Sequence, residues 1–331
     1  MNSLYLDPKF GEERRRELLY DGQIFLLSPT PASLELCAFA ARLSREAFPG
    51  LDPVRAHESM PVEKYAAILS ELKPKFIHHP ESKRLLKELL AQTGCDLQKT
   101  YFDVPRLRTA APWDYLRFGI AYAFQPHRDT WYSAPANQIN WWMPVFPMES
   151  GNAMAFHPRY WHTPLRNNSH IYDYQQWNAA GRQAAAGQVK ADTRQQPYPQ
   201  EAVEMEPQLR LVIPVGGLII FSGAQLHSTV PNRTGITRFS IDFRTVNGDD
   251  VRDGRGAHNI DSACTGTALG DYLRGADLER LPPEWIARYE GPFPKGSPST
   301  SPAAVAAGSA SSPPPTTTLP LPSTLSAGER A

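Results

Sequence analysis

The stretch "FQPHRDTWY", Phe124 to Tyr132, sets a histidine and an aspartate two residues apart, His127 and Asp129, inside an aromatic-rich run. Neutral imidazole nitrogen and carboxylate oxygen are both good ligands for a divalent transition metal, so the pair could form two thirds of a metal site. The third candidate is His227, which follows the apolar run Leu218 to Phe221 in "VIPVGGLIIFSGAQLHSTVPN", where Gly216-Gly217 marks a turn. Alone, a histidine at a strand end is more often a hydrogen-bonded structural residue than a ligand. Downstream, "RFSIDFR" puts Arg238, Ser240, Asp242 and Arg244 on one face of a strand and Phe239, Ile241 and Phe243 on the other. One face is core, and the other is a wet surface or a charged lumen.

Those residues need elements to hold them. The run "QIFLL" at 23–27 reads as a strand, and "SPTPASLELCAFAARLSREAF" reads as a helix with Thr30 as N-cap and Pro31 at its first position. Further helices are predicted over "PVEKYAAILSELK" and over "PESKRLLKELLAQTG", the latter opened by Pro80 and closed by Gly94. From Tyr101 the pattern changes to short aromatic and β-branched runs: "DYLRFGIAYAF", "QINWWMPVF", "AMAFH", "RLVIPV", "LIIFSG" and "TRFSIDFRTV". Short strands at this spacing suggest a sandwich or barrel. The expected organisation is one domain over 1–295, with a mostly helical part over 1–100 and a β core over 101–250. A polar insertion, 159–207, interrupts that core and is a candidate lid. A helical segment over 251–295 is suggested by "DYLRGADLERL" and "PEWIARYEG". The Pro/Ser/Thr/Ala-rich tail, 296–331, has too few large apolar residues to fold and is expected to be disordered.

Composition removes several function classes. Lys+Arg and Asp+Glu balance at 34 each, so there is no sequence-wide basic field for nucleic acid or an anionic membrane. The longest apolar run, "LRLVIPVGGLIIF", is too short and glycine-interrupted to span a bilayer, and the N-terminus lacks the apolar stretch of a signal peptide. A cytoplasmic protein with a small-molecule partner is the expectation. The three cysteines, Cys37, Cys95 and Cys264, are far apart and form no paired or metal-binding spacing.

Two histidines and one carboxylate on one face of a metal leave three positions open, the facial arrangement of non-haem Fe(II) oxygenases. The order His127-x-Asp129, Gly217, His227, then Arg238-x-Ser240 resembles the Fe(II)/2-oxoglutarate-dependent oxygenases. More narrowly, over residues 20–250 it is similar to the phytanoyl-CoA dioxygenase-like family. "DGQIFLL" matches that family's opening, "GNAMAFHPRYW" corresponds loosely to its Gly-x-Leu segment, and His227 to Asn232 matches its H-x-x-x-x-N.

The resemblance implies a double-stranded β-helix, a cupin-like jelly-roll barrel, mainly β with flanking helices. It implies that His127, Asp129 and His227 bind Fe(II) and that Arg238 pairs with the distal carboxylate of 2-oxoglutarate, with Ser240 adding a hydrogen bond. Trp142 would line the cosubstrate pocket, and Asn140, on the same face, would touch 2-oxoglutarate or substrate; Arg244 is a rival anchor. The implied reaction is oxidative decarboxylation of 2-oxoglutarate by O2 to succinate and CO2, coupled to hydroxylation of an unactivated C–H bond. An intact Asp129 argues against halogenation, since halogenases of this type lack the carboxylate. The bulky His157 to Trp161 departs from the family's small turn and breaks the transfer of any relative's substrate. Two other readings stand beside this one: a non-catalytic metal- or ligand-binding barrel, and a cosubstrate-independent cupin-type metalloenzyme, which would have no need of Arg238 facing the metal.

Overall fold

The computed structural model describes residues 3–116, 118–121, 125–181 and 193–291. It opens with a strand β1 (Leu4–Leu6), a helix α1 (Glu12–Tyr20), a strand β2 (Ile24–Leu27), and three helices, α2 (Pro31–Ala47), α3 (Val62–His78) and α4 (Pro80–Gln92). The start of α2 follows from its side chains. Thr30 accepts a hydrogen bond from the Ser33 N–H at 3.1 Å, Ser33 accepts one from the Thr30 N–H at 2.8 Å, and Pro31 presets the first φ. Helix α3 continues past its predicted end, through Pro74, because Leu69, Leu72 and Phe76 keep the spacing of one buried face. Helix α1 was hidden by its charge: two of its four buried residues are arginines, and Arg16 is held by Asp250 at 2.7 Å, a partner distant in sequence.

Nine further strands follow: β3 (Thr100–Phe102), β4 (Arg106–Ala110), β5 (Ile139–Pro144), β6 (Met154–Phe156), β7 (Leu209–Leu211), β8 (Leu218–Ser222), β9 (His227–Thr229), β10 (Arg238–Asn247) and β11 (Leu273–Arg274). The larger sheet runs β1-β2-β8-β5-β10-β3-β11, with β4 also paired to β10; the smaller runs β7-β6-β9. Among the named strands of the described residues, β1 and β2 pair in parallel and the other pairings are antiparallel. The fold is mainly β with flanking helices, and among the described residues its strands do not close into a barrel.

Alternation along the central strands builds two cores. Ile139, Trp141 and Met143 of β5, Leu218 and Ile220 of β8, and Phe239, Ile241 and Phe243 of β10 pack against α2, α3 and α4. Full burial of each such side chain contributes about 1.5–3 kcal/mol, so the sheet is anchored firmly to its helices. Trp142, Ile219 and Phe221 point the other way and meet Met154 and Phe156 of the smaller sheet. The polar face of β10 lies on this second side.

Two expected elements are replaced. The segment Asp114 to Phe124 was read as a strand, yet Trp113, Asp114 and Gly119 have φ of +56°, +58° and +58°. Left-handed residues cannot continue a strand, so an apolar composition is overridden and Gly119–Ala121 forms a 3-10 turn. The helix expected over "DYLRGADLERL" is a hairpin. Leu273–Arg274 pairs with β3, and Arg274 closes the turn through Asp277 at 2.6 Å and Glu279 at 2.5 Å. In the second expected segment Pro283–Ala287 is helical. The tail 296–331 and residues 182–192 of the insertion lie outside the described residues.

Candidate metal centre

The site is assembled by backbone. His127 and His227 face each other as a β-bridge, each donating its N–H to the other's carbonyl at 3.0 Å. Two residues on, the Asp129 N–H donates to the Gly223 carbonyl at 2.9 Å, which ties the turn Asp129–Tyr132 to the end of β8. The ligand segment is thus a bridge followed by a 3-10 turn, where the sequence suggested a continuous strand end. Close approach matters here: a Cβ on Gly223 would lie 3.2 Å from the Gln138 amide nitrogen and 3.5 Å from the Asp129 Cβ.

Each imidazole is oriented by its own chain. The ring Nδ1 of His127 lies 2.8 Å from the Gln125 carbonyl, and that of His227 lies 3.0 Å from the Gln225 carbonyl. A carbonyl only accepts, so both Nδ1 atoms carry a proton, and in the neutral ring each Nε2 offers a lone pair that a metal can take. Those Nε2 atoms stand 3.4 Å and 3.8 Å from the Asp129 Oδ1. The three ligand atoms lie within 4.8 Å of one another, a spacing that one metal ion can bridge.

The second oxygen of Asp129 is occupied by protein. Its Oδ2 accepts from Gln138 Nε2 at 2.9 Å and from Asn140 Nδ2 at 2.8 Å, with Arg244 Nε at 3.9 Å. Gln138 also donates to Asn140 Oδ1 at 2.8 Å and accepts from the Tyr272 hydroxyl at 2.8 Å. Burial alone would raise the Asp129 carboxyl, but His127 and His227, in their protonated forms, and the Arg244 guanidinium favour the carboxylate and hold it well below the usual range. Burial and the neighbouring His127 push His227 down to about 4. The triad is therefore an ionised carboxylate beside a neutral His227, the protonation states that metal binding requires.

A cavity of about 540 Å³ opens on this triad, and Arg238, Ser240, Trp142 and Asn140 line it. Arg238 is 7 % exposed; one guanidinium nitrogen, Nη1, donates to the Asn152 carbonyl at 2.7 Å, and the group lies 5.5 Å over the Trp142 ring. Among the described residues its Nε and the Ser240 hydroxyl are buried without a hydrogen-bond partner. Burial pushes the Arg238 guanidinium down to about 10, partly offset by Asp242. Arg244, the rival anchor, is engaged already: Asp103 lies at 3.0 Å and Asp242 at 3.8 Å. Of the paired tryptophans, Trp141 belongs to the core, stacked on Phe243 at 5.5 Å. Asn140 lines the cavity, but its amide is spent on Asp129.

Three residues were missed by sequence reasoning. Gln138 completes the clamp on Asp129. Arg128, between the two ligands and 1 % exposed, donates to the Ala224, Tyr160 and Thr163 carbonyls and to Asp261, which also accepts from the Trp131 indole at 2.7 Å. Lys73, on the inner face of α3, reaches the cavity. A charged residue fixed between two ligands was the only signal in the chain, and it named no partner. From the insertion, Tyr172, Tyr174, Trp177, Arg194 and Gln196 also line the cavity.

No family profile and no curated protein sequence matches this chain. Among solved structures it is similar to EvdO2 from Micromonospora carbonacea var. aurantiaca complexed with 2-oxoglutarate, at 15% identity, with 72% of this chain and 91% of that one covered and a TM-score of 0.41. It is also similar to SnoN, a non-heme alpha ketoglutarate dependent epimerase from nogalamycin biosynthesis, at 11% identity, 72% and 84% coverage and a TM-score of 0.34. AviO1 from Streptomyces viridochromogenes Tue57 is similar at 13% identity, 70% and 95% coverage and a TM-score of 0.34. Likeness at this level transfers no chemistry, which must be read from the side chains themselves.

Proposed function

We propose that this chain is a non-haem Fe(II)- and 2-oxoglutarate-dependent dioxygenase of the phytanoyl-CoA dioxygenase-like type, on a jelly-roll core, that hydroxylates an unactivated C–H bond of a small molecule. One observation carries the reading: a buried His-Asp-His donor set shares a cavity with a buried arginine that has an unpartnered nitrogen and a serine hydroxyl that has no partner. The donor set fits Fe(II), with two neutral-type nitrogen donors and one hard oxygen, and leaves other positions open. The orphaned Arg238 Nε and Ser240 Oγ fit a carboxylate acceptor such as the distal end of 2-oxoglutarate. An unpaired buried donor is costly, so both atoms call for a ligand.

When bound with O2, Fe(II) and 2-oxoglutarate supply the oxidising power, with succinate and CO2 as co-products. The chain's own residues position and exclude. The carbonyls of Gln125 and Gln225 fix the tautomers of His127 and His227, while Gln138 and Asn140 hold the Oδ2 of Asp129, so that its Oδ1 would be the ligand atom. Arg238 braces on Trp142 and keeps its charge in a dry environment, where it binds an anion far more tightly than in water. The carboxylate of Asp129 would hold the metal as a third protein ligand, which supports hydroxylation over halogenation. Tyr172, Tyr174 and Trp177 of the insertion wall the cavity and keep water from the reacting bond, in the manner of a lid.

The test is anaerobic titration of 2-oxoglutarate into the Fe(II) protein, followed by succinate release in air. Wild type is expected to show a metal-to-ligand absorption band and slow uncoupled succinate. Asp129→Ala should lose both, and Arg238→Met should weaken 2-oxoglutarate by about 100-fold, since it removes one partner of a buried ion pair. A wild-type protein that binds Fe(II) and gives neither band nor succinate would sink the proposal and favour the non-catalytic barrel.

A further inference from the structure

Six cationic side chains line the cavity, Lys73, Arg106, Arg108, Arg194, Arg238 and Arg244, against four carboxylates, Asp103, Asp129, Asp242 and Asp271. Bound Fe(II) and doubly ionised 2-oxoglutarate cancel each other, so they leave this positive excess in place. Its distribution is uneven. Arg106 and Arg244 share Asp103, and Arg108 is paired with Asp242 at 2.7 Å, which also faces Arg244 at 3.8 Å. Asp129 is committed to the metal. Neither Arg238 nor Lys73 has a carboxylate within 4.0 Å among the described residues.

Arg238 is accounted for by the cosubstrate, and Lys73 is not. Its side chain is 7 % exposed, and its ammonium donates to the Ile120 carbonyl on the Gly119–Ala121 turn. Arg194 reaches the same turn, donating to the Gly119 carbonyl at 3.3 Å, and lies 5.0 Å over the Trp177 ring. Burial, with Arg108 adding repulsion and Asp242 opposing it, pushes Lys73 down to about 7. A buried amine held among other cations is a poor structural choice, because any apolar residue of similar length would fill the space without the desolvation cost. It becomes a good one when an anion arrives.

We propose that the Lys73 end of the cavity binds an anionic oxygen group of the substrate, a carboxylate or a phosphate ester, so that the molecule oxidised is a small organic acid. The inference rests on the cosubstrate reading, which assigns Arg238 elsewhere. Aromatic walls at Tyr132, Tyr172 and Trp177 match an apolar or aromatic body for that acid.

The experiment uses the full chain loaded with redox-inert Zn(II) and 2-oxoglutarate, and calorimetric titration of matched probes. Benzoate, phenylacetate and phenyl phosphate are compared with benzamide, phenylacetamide and benzyl alcohol. At least one acid is expected to bind while its neutral partner does not, and the carboxylates against the phosphate tell which group the site prefers. Lys73→Met and Lys73→Gln should each weaken that acid by about 10- to 100-fold while leaving 2-oxoglutarate affinity within about two-fold of wild type. Acids that bind no better than their neutral partners, or Lys73 variants that bind acids like wild type, would overturn the proposal. Lys73 variants that lose 2-oxoglutarate instead would overturn it too, by making Lys73 the cosubstrate anchor. Failure of the parent reading is seen separately, as absence of the Fe(II)·2-oxoglutarate band in wild type before any probe is added.

Discussion

Asn140 was expected at the cosubstrate, whereas its amide donates to Asp129, and the two roles predict different losses in Asn140→Ala. The deleted group is one of two amides on the Asp129 Oδ2, at 2.8 Å, the other being Gln138 at 2.9 Å. A hydrogen bond to a buried charge contributes about 1.5–3 kcal/mol, or roughly ten- to a hundred-fold in an equilibrium constant. The Gln138 amide, which divides its donors between Asp129 and Asn140 Oδ1 at 2.8 Å, can then turn wholly to the carboxylate. The loss should accordingly sit at the low end, about ten-fold in metal affinity, as for other groups that orient a ligand from behind. Removing both amides in Gln138→Ala/Asn140→Ala should cost well over about a hundred-fold, more than the product of the two single losses, because each amide backs up the other. Anaerobic competition for Fe(II) against a chromophoric chelator reads these constants directly. If Asn140→Ala binds metal like wild type and loses 2-oxoglutarate affinity instead, the clamp reasoning is wrong and Asn140 belongs to the cosubstrate.

Arg128→Met leaves Asp261 as a buried carboxylate without its cation, and should destabilise the fold by about 3–5 kcal/mol in urea unfolding; a loss under 1 kcal/mol would show that Asp261 is satisfied by its other donors. Lys73 gives a pH signature. Its folded value of about 7 lies below the unfolded 10.5, so between these values the unfolded chain binds more protons and stability rises with pH. From pH 7 to 9 wild type should gain up to about 2 kcal/mol relative to Lys73→Met, measured as the difference in urea midpoints at the two pH values, and parallel curves would contradict it. Gly223→Ala places a methyl against the Gln138 amide and Asp129, and should weaken metal binding a few-fold with little change in melting temperature.

Much of the scaffold was written in local chemistry. The Thr30-Pro31 start of α2, the Gly94 exit from α4 and the strict alternation of Arg238 to Arg244 need no distant partner to be recognised. His127, Asp129 and His227 were legible for the same reason: few side chains can do that chemistry, and their spacing survives in the one-dimensional chain. What escaped were features fixed by contacts distant in sequence. The Asp261 that meets Arg128, the Asp250 that meets Arg16, and the Ile120 carbonyl that receives Lys73 lie 133, 234 and 47 residues away. The misread run Asp114 to Phe124 failed differently: left-handed backbone at Trp113, Asp114 and Gly119 breaks a sequence whose aromatic and β-branched residues prefer extended structure.

The paired hydrogen bonds between His127 and His227 run through main-chain atoms alone, and so does the bond from Asp129 to Gly223. Any residue except proline can make them. The backbone positions of the three ligands are thus fixed by bonds that do not use the ligand side chains. In a zinc finger the metal supplies the folding energy, whereas here the main chain itself already brings the three candidate ligands together. A cysteine or glutamate in place of any one ligand would meet the same backbone and the same cavity, and would change the metal preference without renegotiating the fold.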